Sequence, residues 1–442
     1  MAARTAPTEP LLVVLGSTGT GKSELAIELA KRFGGEVINA DAMQLYDGLP
    51  LITNKVTAEE QCGIPHHLLG RVSLNDAPWD VDEYKSEAGR VIREIRARGN
   101  LPILVGGTQY YVDPLLFRDV ILDDVQTDAA ASFPILDGPT DAMLEELKRV
   151  DPVIAERWHP NDRRKIRRSL EIYLQTGRPA SELYAEQAAR KAAAAAAARQ
   201  SPGEEEPWQK LLFWVHTERE ALCKRLDARV DRMLDAGLLG EIRELLDFKR
   251  EKAAAGQVVD MTKGIWQSIG YKQFEPLMVA SDEGREAAEL ERLRAAALED
   301  MKTATRRYAN YQTKWIRLKQ IPRLKEQGPH AFGSLYLLDS TDVSQFRANV
   351  VEPAADVAAR FLAGEARPAP TEMSALAREI LTRVGEPPPR ETPCQRTCEV
   401  CSTVCVTEEG WQRHIKSAGH RRVMKRKRNL SLVPIEDAKI ET

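Results

Sequence analysis

No stretch of the 442-residue sequence approaches the roughly 18 consecutive apolar residues that a membrane-spanning helix needs. The longest candidates, around Leu11 to Gly16 and Leu101 to Gly107, have the length of strands. Aromatic residues are scarce at 6% while charged residues reach 29%, which argues against a membrane or fibrous protein and for a helix-rich globular one. Six cysteines are too few for a disulfide framework, and four of them crowd between Cys394 and Cys405, which points to metal in a reducing compartment. Met1 to Pro10 lacks the apolar core of a secretory signal and carries Arg4 with no acid before Glu9, which argues against secretion and leaves a mitochondrial presequence open. A net charge of -3 gives no global sign of nucleic acid, but the balance breaks locally. Arg413 to Arg428 holds eight Lys or Arg and no acid, and Lys302 to Lys319 holds six with none. Isolated, such runs are solvated helix faces or import signals more often than binding patches.

The length implies two or three domains, and 43% apolar residues suffice to fill them. A strand pattern at Leu11 to Leu15, a glycine turn, a helical stretch from Ser23 to Arg32, and further strands at Glu36 to Asn39 and Pro102 to Val105 alternate as in an α/β parallel sheet. In such a sheet ligands sit beyond the carboxyl ends of the strands. The expected fold is a phosphate-loop sheet core over residues 10–120 and 208–362, with a helical subdomain inserted at 121–207. Within the insertion, Met143 to Val150 and Asn161 to Thr176 read as helices, and Ala192 to Ala198 with Ser201 to Pro207 as low complexity. From Thr217 to Leu246, Leu222, Leu226, Val230 and Leu234 mark one face of an amphipathic helix. Residues 363–393, rich in Pro, Glu and Ala, read as a linker to a C-terminal module at 394–428.

Gly16-Ser17-Thr18-Gly19-Thr20-Gly21-Lys22-Ser23 fits the G-x4-G-K-[ST] phosphate loop, between a strand and a helix as the chemistry demands. Glycines let backbone N–H groups face phosphate oxygens, Lys22 adds a point charge, and Ser23 offers a hydroxyl to Mg²⁺. Nucleoside triphosphatases with this loop hold Mg²⁺ with an additional Asp at the end of a second strand. The strand at Leu101 to Val105 ends instead in Gly106-Gly107-Thr108. Asp41 would stand at the carboxyl end of the second strand, near the loop; a carboxylate there can bind Mg²⁺, accept a proton, or merely cap a helix. His66 and His67 by themselves fit a turn or core feature better than a metal site.

The phosphate loop, Asp41 to Tyr46, Ile52 to Lys55, Pro65 to Leu69, Gly106 to Tyr111, Pro160 to Arg164, Gly270 to Lys272 and Arg306 to Ala309 occur in the order seen in tRNA dimethylallyltransferases, which the sequence resembles from about Leu11 to Ile316. The resemblance implies transfer of a dimethylallyl group from its diphosphate to N6 of adenine 37 in the anticodon loop of tRNA. It further implies a diphosphate site at Gly16, Thr18, Gly19, Thr20, Gly21, Lys22 and Ser23 with Mg²⁺, Asp41 as general base, Thr108 near the diphosphate, and an arginine for which Arg229 is the best match and Arg225 the second. Gln44, Arg163, Arg164, Lys272 and Arg306 are the corresponding RNA contacts. Two positions depart from the family, which usually has Pro at Ser17 and Ser at Ala42.

Cys398-x2-Cys401-x12-His414-x5-His420 fits a C2H2 zinc site, with both histidines expected on one helix and Trp411 beneath it. Cys394 and Cys405 flank the pair. Eukaryotic members of the resembled family carry a similar finger, whose basic helix and Lys425 to Arg428 would contact phosphates or serve nuclear import. The expected protein is an intracellular monomer without membrane contact, in cytoplasm and compatible with mitochondrion and nucleus. An adenylate dimethylallyltransferase acting on free nucleotides, or a phosphate-loop ATPase or kinase with an RNA-binding finger, are the alternatives.

Overall fold

The computed structural model describes residues 6–117, 133–187, 189, 209–383 and 392–431, so the Ala192 to Ala198 and Ser201 to Pro207 segments lie outside the described residues. Two compact units result: Met1–Val120 with Gly203–Glu386, and Ile121–Pro202 with Pro387–Thr442.

In the first unit, β1 (Pro10–Leu15) is an aliphatic run buried from Leu11 onward, as a strand covered on both faces requires. The phosphate loop leads to α1 (Lys22–Phe33), which Gly34 ends in the left-handed conformation. There follow β2 (Gly35–Asn39), β3 (His66–His67), α2 (Val81–Ala97) opened by the Asp80/Glu83 capping box, β4 (Leu101–Gly106) and α3 (Gln109–Leu116). The second unit contributes α4 (Thr140–Val150) and α5 (Arg163–Thr176), which bury Met143, Leu147, Ile166 and Leu170 together. The first unit resumes with β5 (Gln209–His216), α6 (Arg219–Asp235), α7 (Leu238–Ala254), α8 (Tyr271–Asp282), the long α9 (Ala287–Trp315), β6 (Leu335–Asp339), α10 (Glu352–Leu362) and α11 (Ala375–Arg383).

The six strands are parallel, in the order β3-β2-β4-β1-β5-β6, with Val14 opposite both Val105 and Phe213. Side chains alternate between two core layers: Leu11, Val13 and Leu15 face one, Leu12 and Val14 the other. The chain leaves β1 for β2 on the far side of β4 and later returns to β5 on the opposite flank. A switch point therefore opens beyond the carboxyl end of β1, where the phosphate loop stands.

Two expectations about this unit need correction. The stretch from Thr217 to Leu246 is two helices, because Gly237 adopts φ 104° and breaks the run between Asp235 and Leu238. Within the supposed linker at 363–393, residues 375–383 form a helix of the sheet unit: α11 packs against β6 and buries Ala377, Ile380 and Leu381. Burying Ile380 and Leu381 is worth about 1.5–3 kcal/mol each, which helps hold the helix in place despite its Pro- and Glu-rich flanks.

The C-terminal module pairs β7 (Pro393–Thr397) with β8 (Val404–Thr407) antiparallel, followed by α12 (Glu408–Ile415) and α13 (Ala418–Ser431). The two histidines do not share one helix. His414 belongs to α12 and His420 to α13, with the break at Lys416 and Ser417. No helix among the described residues is long and apolar enough to cross a membrane.

Candidate active site

The phosphate loop is held in shape from within and from the far end of the sequence. Ser17 is buried, and its carbonyl accepts from Lys22 Nζ at 2.7 Å and Thr20 Oγ1 at 2.9 Å. Gly21 sits at φ 89°, and a Cβ there would come within 2.5 Å of the Phe346 ring, so both conformation and space demand glycine. Gln312 of α9, 1% exposed, accepts from the Thr18 N–H through Oε1 at 2.8 Å and donates through Nε2 to the Gly107 carbonyl at 2.9 Å. One amide thus ties the loop after β1 to the turn after β4. Gly107 is required by that approach, since a Cβ would meet Gln312 Nε2 at 2.3 Å.

Asp41 follows β2 as expected. Asn39 positions it: Asn39 Oδ1 accepts from the Asp41 N–H at 3.0 Å, and Asn39 Nδ2 donates to the carbonyls of Leu68 and Asp41. The Asp41 carboxylate accepts from the Met43 N–H at 3.1 Å. Loss of solvent pushes its carboxyl above the ordinary aspartate range, against the pull of Lys22, the Met43 and Gln44 amides, and Arg229. Thr108 closes the same corner, its hydroxyl accepting from the Ala42 N–H at 3.0 Å. The Tyr308 phenol reaches Thr108 and Gln312, and burial holds it well above the usual tyrosine range.

The structure also separates the two arginine candidates. Arg229 Nη1 donates to Thr18 Oγ1 at 2.9 Å, while its Nε is buried without a partner. Arg225, one turn earlier on α6, is instead committed to the carbonyls of Ser340 and Thr341 at 2.5 and 2.6 Å. Burial lowers the Arg229 guanidinium to about 10 and the Lys22 ammonium to about 8; for Lys22 the attraction of Asp41 opposes that shift and Arg229 adds to it. Two cations thus crowd one pocket, and an orphaned N–H there is a cradle suited to an oxyanion. Beside β1, β4 runs into Gly107-Thr108, and β5 runs into Thr217-Glu218, where Glu218 is the N-cap of α6.

In the C-terminal module the donor atoms of Cys398, Cys401, His414 and His420 all lie within 4.8 Å of one another. Cys398 Sγ is 3.5 Å from His420 Nδ1, and Cys401 Sγ is 3.3 Å from His414 Nε2 and 3.8 Å from His420 Nδ1. Zn–S and Zn–N bonds at tetrahedral angles place S and N about 3.6 Å apart, so the four groups fit zinc. Trp411 lies beside His414, ring centroids 5.9 Å apart, with the Arg396 guanidinium over its face.

A family model described as IPP transferase matches residues 44–319. The chain belongs to the IPP transferase family. A tRNA dimethylallyltransferase of Schizosaccharomyces pombe is 38% identical, covering 95% of this chain and 96% of its own length, and that of Homo sapiens is 33% identical over 96% and 87%. A tRNA dimethylallyltransferase of Geobacillus kaustophilus, 35% identical, is covered over 97% of its length but matches only 81% of this chain. A solved structure of a eukaryotic dimethylallyltransferase acting on tRNA superposes with a TM-score of 0.76 at 32% identity, covering 96% of this chain and 98% of that one. The chain is thus an IPP transferase family member with a six-stranded parallel sheet and a C-terminal Cys/His cluster compatible with a zinc finger.

Among the residues singled out in this IPP transferase sequence, the loop, Asp41, Thr108 and Arg229 converge on one pocket. Gln44 donates to the Asn54 carbonyl at 2.8 Å, Lys272 is exposed on α8, and Arg306 pairs with Asp227 at 2.6 Å. Arg163 and Arg164 belong to the other unit, where Arg163 donates to the carbonyls of Gly138 and Leu136. His66 and His67 are structural: His67 meets the buried Glu36, whose carboxyl Arg98 chiefly holds down to about 2. Asn39 and Gln312 are the site residues that sequence reasoning missed, while Tyr308 stood within the Arg306 to Ala309 motif without a role of its own. The available signals were the position of Asn39 before the Asp41 motif and, for Gln312, its place four residues beyond Tyr308 on one helix face.

Proposed function

We propose that this family member transfers a dimethylallyl group from dimethylallyl diphosphate to N6 of adenine 37 in the anticodon loop of tRNA. The N6–C1 bond forms, the C1–O bond to diphosphate breaks, and the N6 proton passes to Asp41. The observation that carries this reading is the pairing of one carboxylate of raised basicity with Lys22, Arg229 and Thr18 around a single pocket at the switch point. An exocyclic amine is a poor nucleophile, so the site must hold it in line, receive its proton and neutralise the leaving group. Asp41 serves the second need. Lys22, Arg229 and the loop N–H groups serve the third, and Thr108 orders the corner between them. Ser23 would hold Mg²⁺, which supplies further charge neutralisation to the diphosphate when bound.

A stacked base cannot reach such a pocket, so the adenine is extruded from loop RNA, where unstacking is cheap. Gln44, Lys272, Arg306, Arg163 and Arg164 are the proposed RNA contacts, Arg306 by exchanging Asp227 for a phosphate. The zinc-bound module adds phosphate contacts through its basic helix, and the enzyme acts as a monomer in the cytoplasm, with mitochondrion and nucleus as further compartments. Incubation with radiolabelled dimethylallyl diphosphate, Mg²⁺ and either unmodified tRNA or AMP and ADP tests the activity. Label on tRNA adenine is expected; label on free nucleotides alone, or triphosphate hydrolysis without transfer, would overturn it.

A further inference from the structure

The helix that turns Tyr308 and Gln312 toward the pocket carries an unusual outer face. Arg307, Tyr311, Lys314 and Leu318 follow one another at spacings of three and four, which sets them on one stripe, and all are exposed. Tyr311 keeps 49% of its surface accessible, and Tyr110, in the first turn of α3, keeps 44%. Between them stands Trp315, its ring centroid 5.4 Å from Tyr110 and 5.8 Å from Tyr311. Aromatic residues are only 6% of this chain, so three gathered at one surface call for a cause beyond chance exposure.

Trp315 is also held in a fixed plane. Its Nε1 donates at 3.0 Å to Asp113, a carboxylate 2% exposed that receives Gln320 Nε2 at 2.6 Å and faces Arg323 at 3.5 Å. Immediately after Trp315 the helix widens into a π-helical turn, Ile316–Gln320, a distortion frequent at functional sites. A buried carboxylate and a distorted turn thus fix the orientation of a half-exposed indole.

We propose that Tyr110, Tyr311 and Trp315 form a stacking platform for unpaired RNA bases next to the extruded adenine, with Arg307 and Lys314 neutralising the adjoining phosphates. This presupposes the RNA-directed activity proposed above and names the part of the RNA that the site takes beyond its target base. Every base has a π face, so rings interleaved with cations suit single-stranded RNA without reading its sequence. The cations favour a polyanion over an apolar protein partner. Connectivity sets the platform beside the chemistry: Tyr311 precedes Gln312, which bonds the phosphate loop, and Tyr110 lies two residues beyond Thr108.

The test uses the full chain and an anticodon stem-loop RNA carrying 2-aminopurine beside the target adenine. Binding to the wild type should quench the probe, and Tyr110→Leu/Tyr311→Leu should abolish the quench while leaving the thermal midpoint unchanged. The double variant should raise KM for RNA about tenfold with KM for dimethylallyl diphosphate unmoved, and Tyr311→Phe should restore the wild-type value. Its salt dependence should match the wild type, whereas Lys314→Ala should lower the salt slope. Absence of quenching with the wild type, or an unchanged quench and KM in the double variant, would overturn the platform. A chain that quenches the probe but transfers nothing would overturn the proposed activity and leave the platform standing.

Discussion

The pocket around the phosphate loop gathers Thr18, Asp41, Thr108, Arg229 and Gln312 from opposite ends of a long sequence, and a six-stranded sheet with two apolar layers holds them. The Cys/His module gathers its four ligands from adjacent turns, and among its described residues the buried side chains are Cys398, Cys405 and His420. Hydrophobic burial builds the first site before any ligand arrives. The second has almost no apolar core among its described residues, so a metal held by the four groups would supply most of its folding energy. Substitutions in the pocket should therefore change chemistry without unfolding the chain, and loss of metal should unfold the module without touching the chemistry.

The hardest test of this contrast is Asp41→Asn. Removal of a general base costs about 10²–10⁴ in rate, so transfer should fall about 10³-fold while RNA binding, followed by filter retention, and the thermal midpoint hold. Transfer near the wild-type rate would mean that Asp41 is not the base. Arg229 and Arg225 form the next pair. Arg229→Ala should lower kcat about 10²-fold with a smaller loss of stability than Arg225→Ala, since it gives up one bond to the Thr18 hydroxyl and its Nε has no partner. Arg225→Ala should do the reverse, costing about 1–3 kcal/mol in denaturant unfolding by stranding the Ser340 and Thr341 carbonyls while kcat stays within a few-fold. Equal kinetic losses in both variants would erase the distinction between them. Chelation addresses the module: a zinc-selective chelator should raise KM for RNA about tenfold and flatten its salt dependence, with the main thermal transition unmoved. A fall in kcat on chelation would show that the two regions are coupled.

The two regions also differ in how far their sequence could be read. Consecutive residues with obligatory chemistry, such as Gly16 to Ser23 or the Cys and His spacings, were legible because the motif and the structure are the same local object. Gln312 was not legible, because an amide has no motif and its function arises from contacts with Thr18 and Gly107 across some 200–300 residues. Arg225 and Arg229 could be ranked but not told apart in sequence, because the Ser340 and Thr341 carbonyls that engage Arg225 follow β6, a strand that sequence reasoning did not anticipate. Residues 363–393 misled through composition: proline and glutamate flank a short helix whose Ala377, Ile380 and Leu381 are buried by a partner that only the fold supplies. Periodicity likewise joined α6 to α7, since a single glycine at 237 interrupts the chain without interrupting the apolar pattern.

The gentlest perturbation is pH, and it bears on the pocket's central feature, two cations and one carboxylate sharing a desolvated space. Asp41 must be ionised to accept the N6 proton, and burial raises its carboxyl, so kcat/KM should rise with pH through a limb above the ordinary aspartate range. Lys22 must be protonated to hold the diphosphate, and burial lowers it to about 8, so the same parameter should fall as pH passes about 8. Between pH 7.5 and 8.5 the protonated fraction drops about threefold, and kcat/KM for dimethylallyl diphosphate should drop with it. Bound diphosphate favours the charged lysine, so the alkaline limb of kcat should lie at higher pH than that of kcat/KM. Lys22→Arg separates this titration from any other, because a guanidinium stays charged throughout the range. Whatever its absolute rate, that variant should lose the limb near pH 8; a limb that survives unchanged would assign the transition to another group and leave Lys22 a positional rather than a titrating contact.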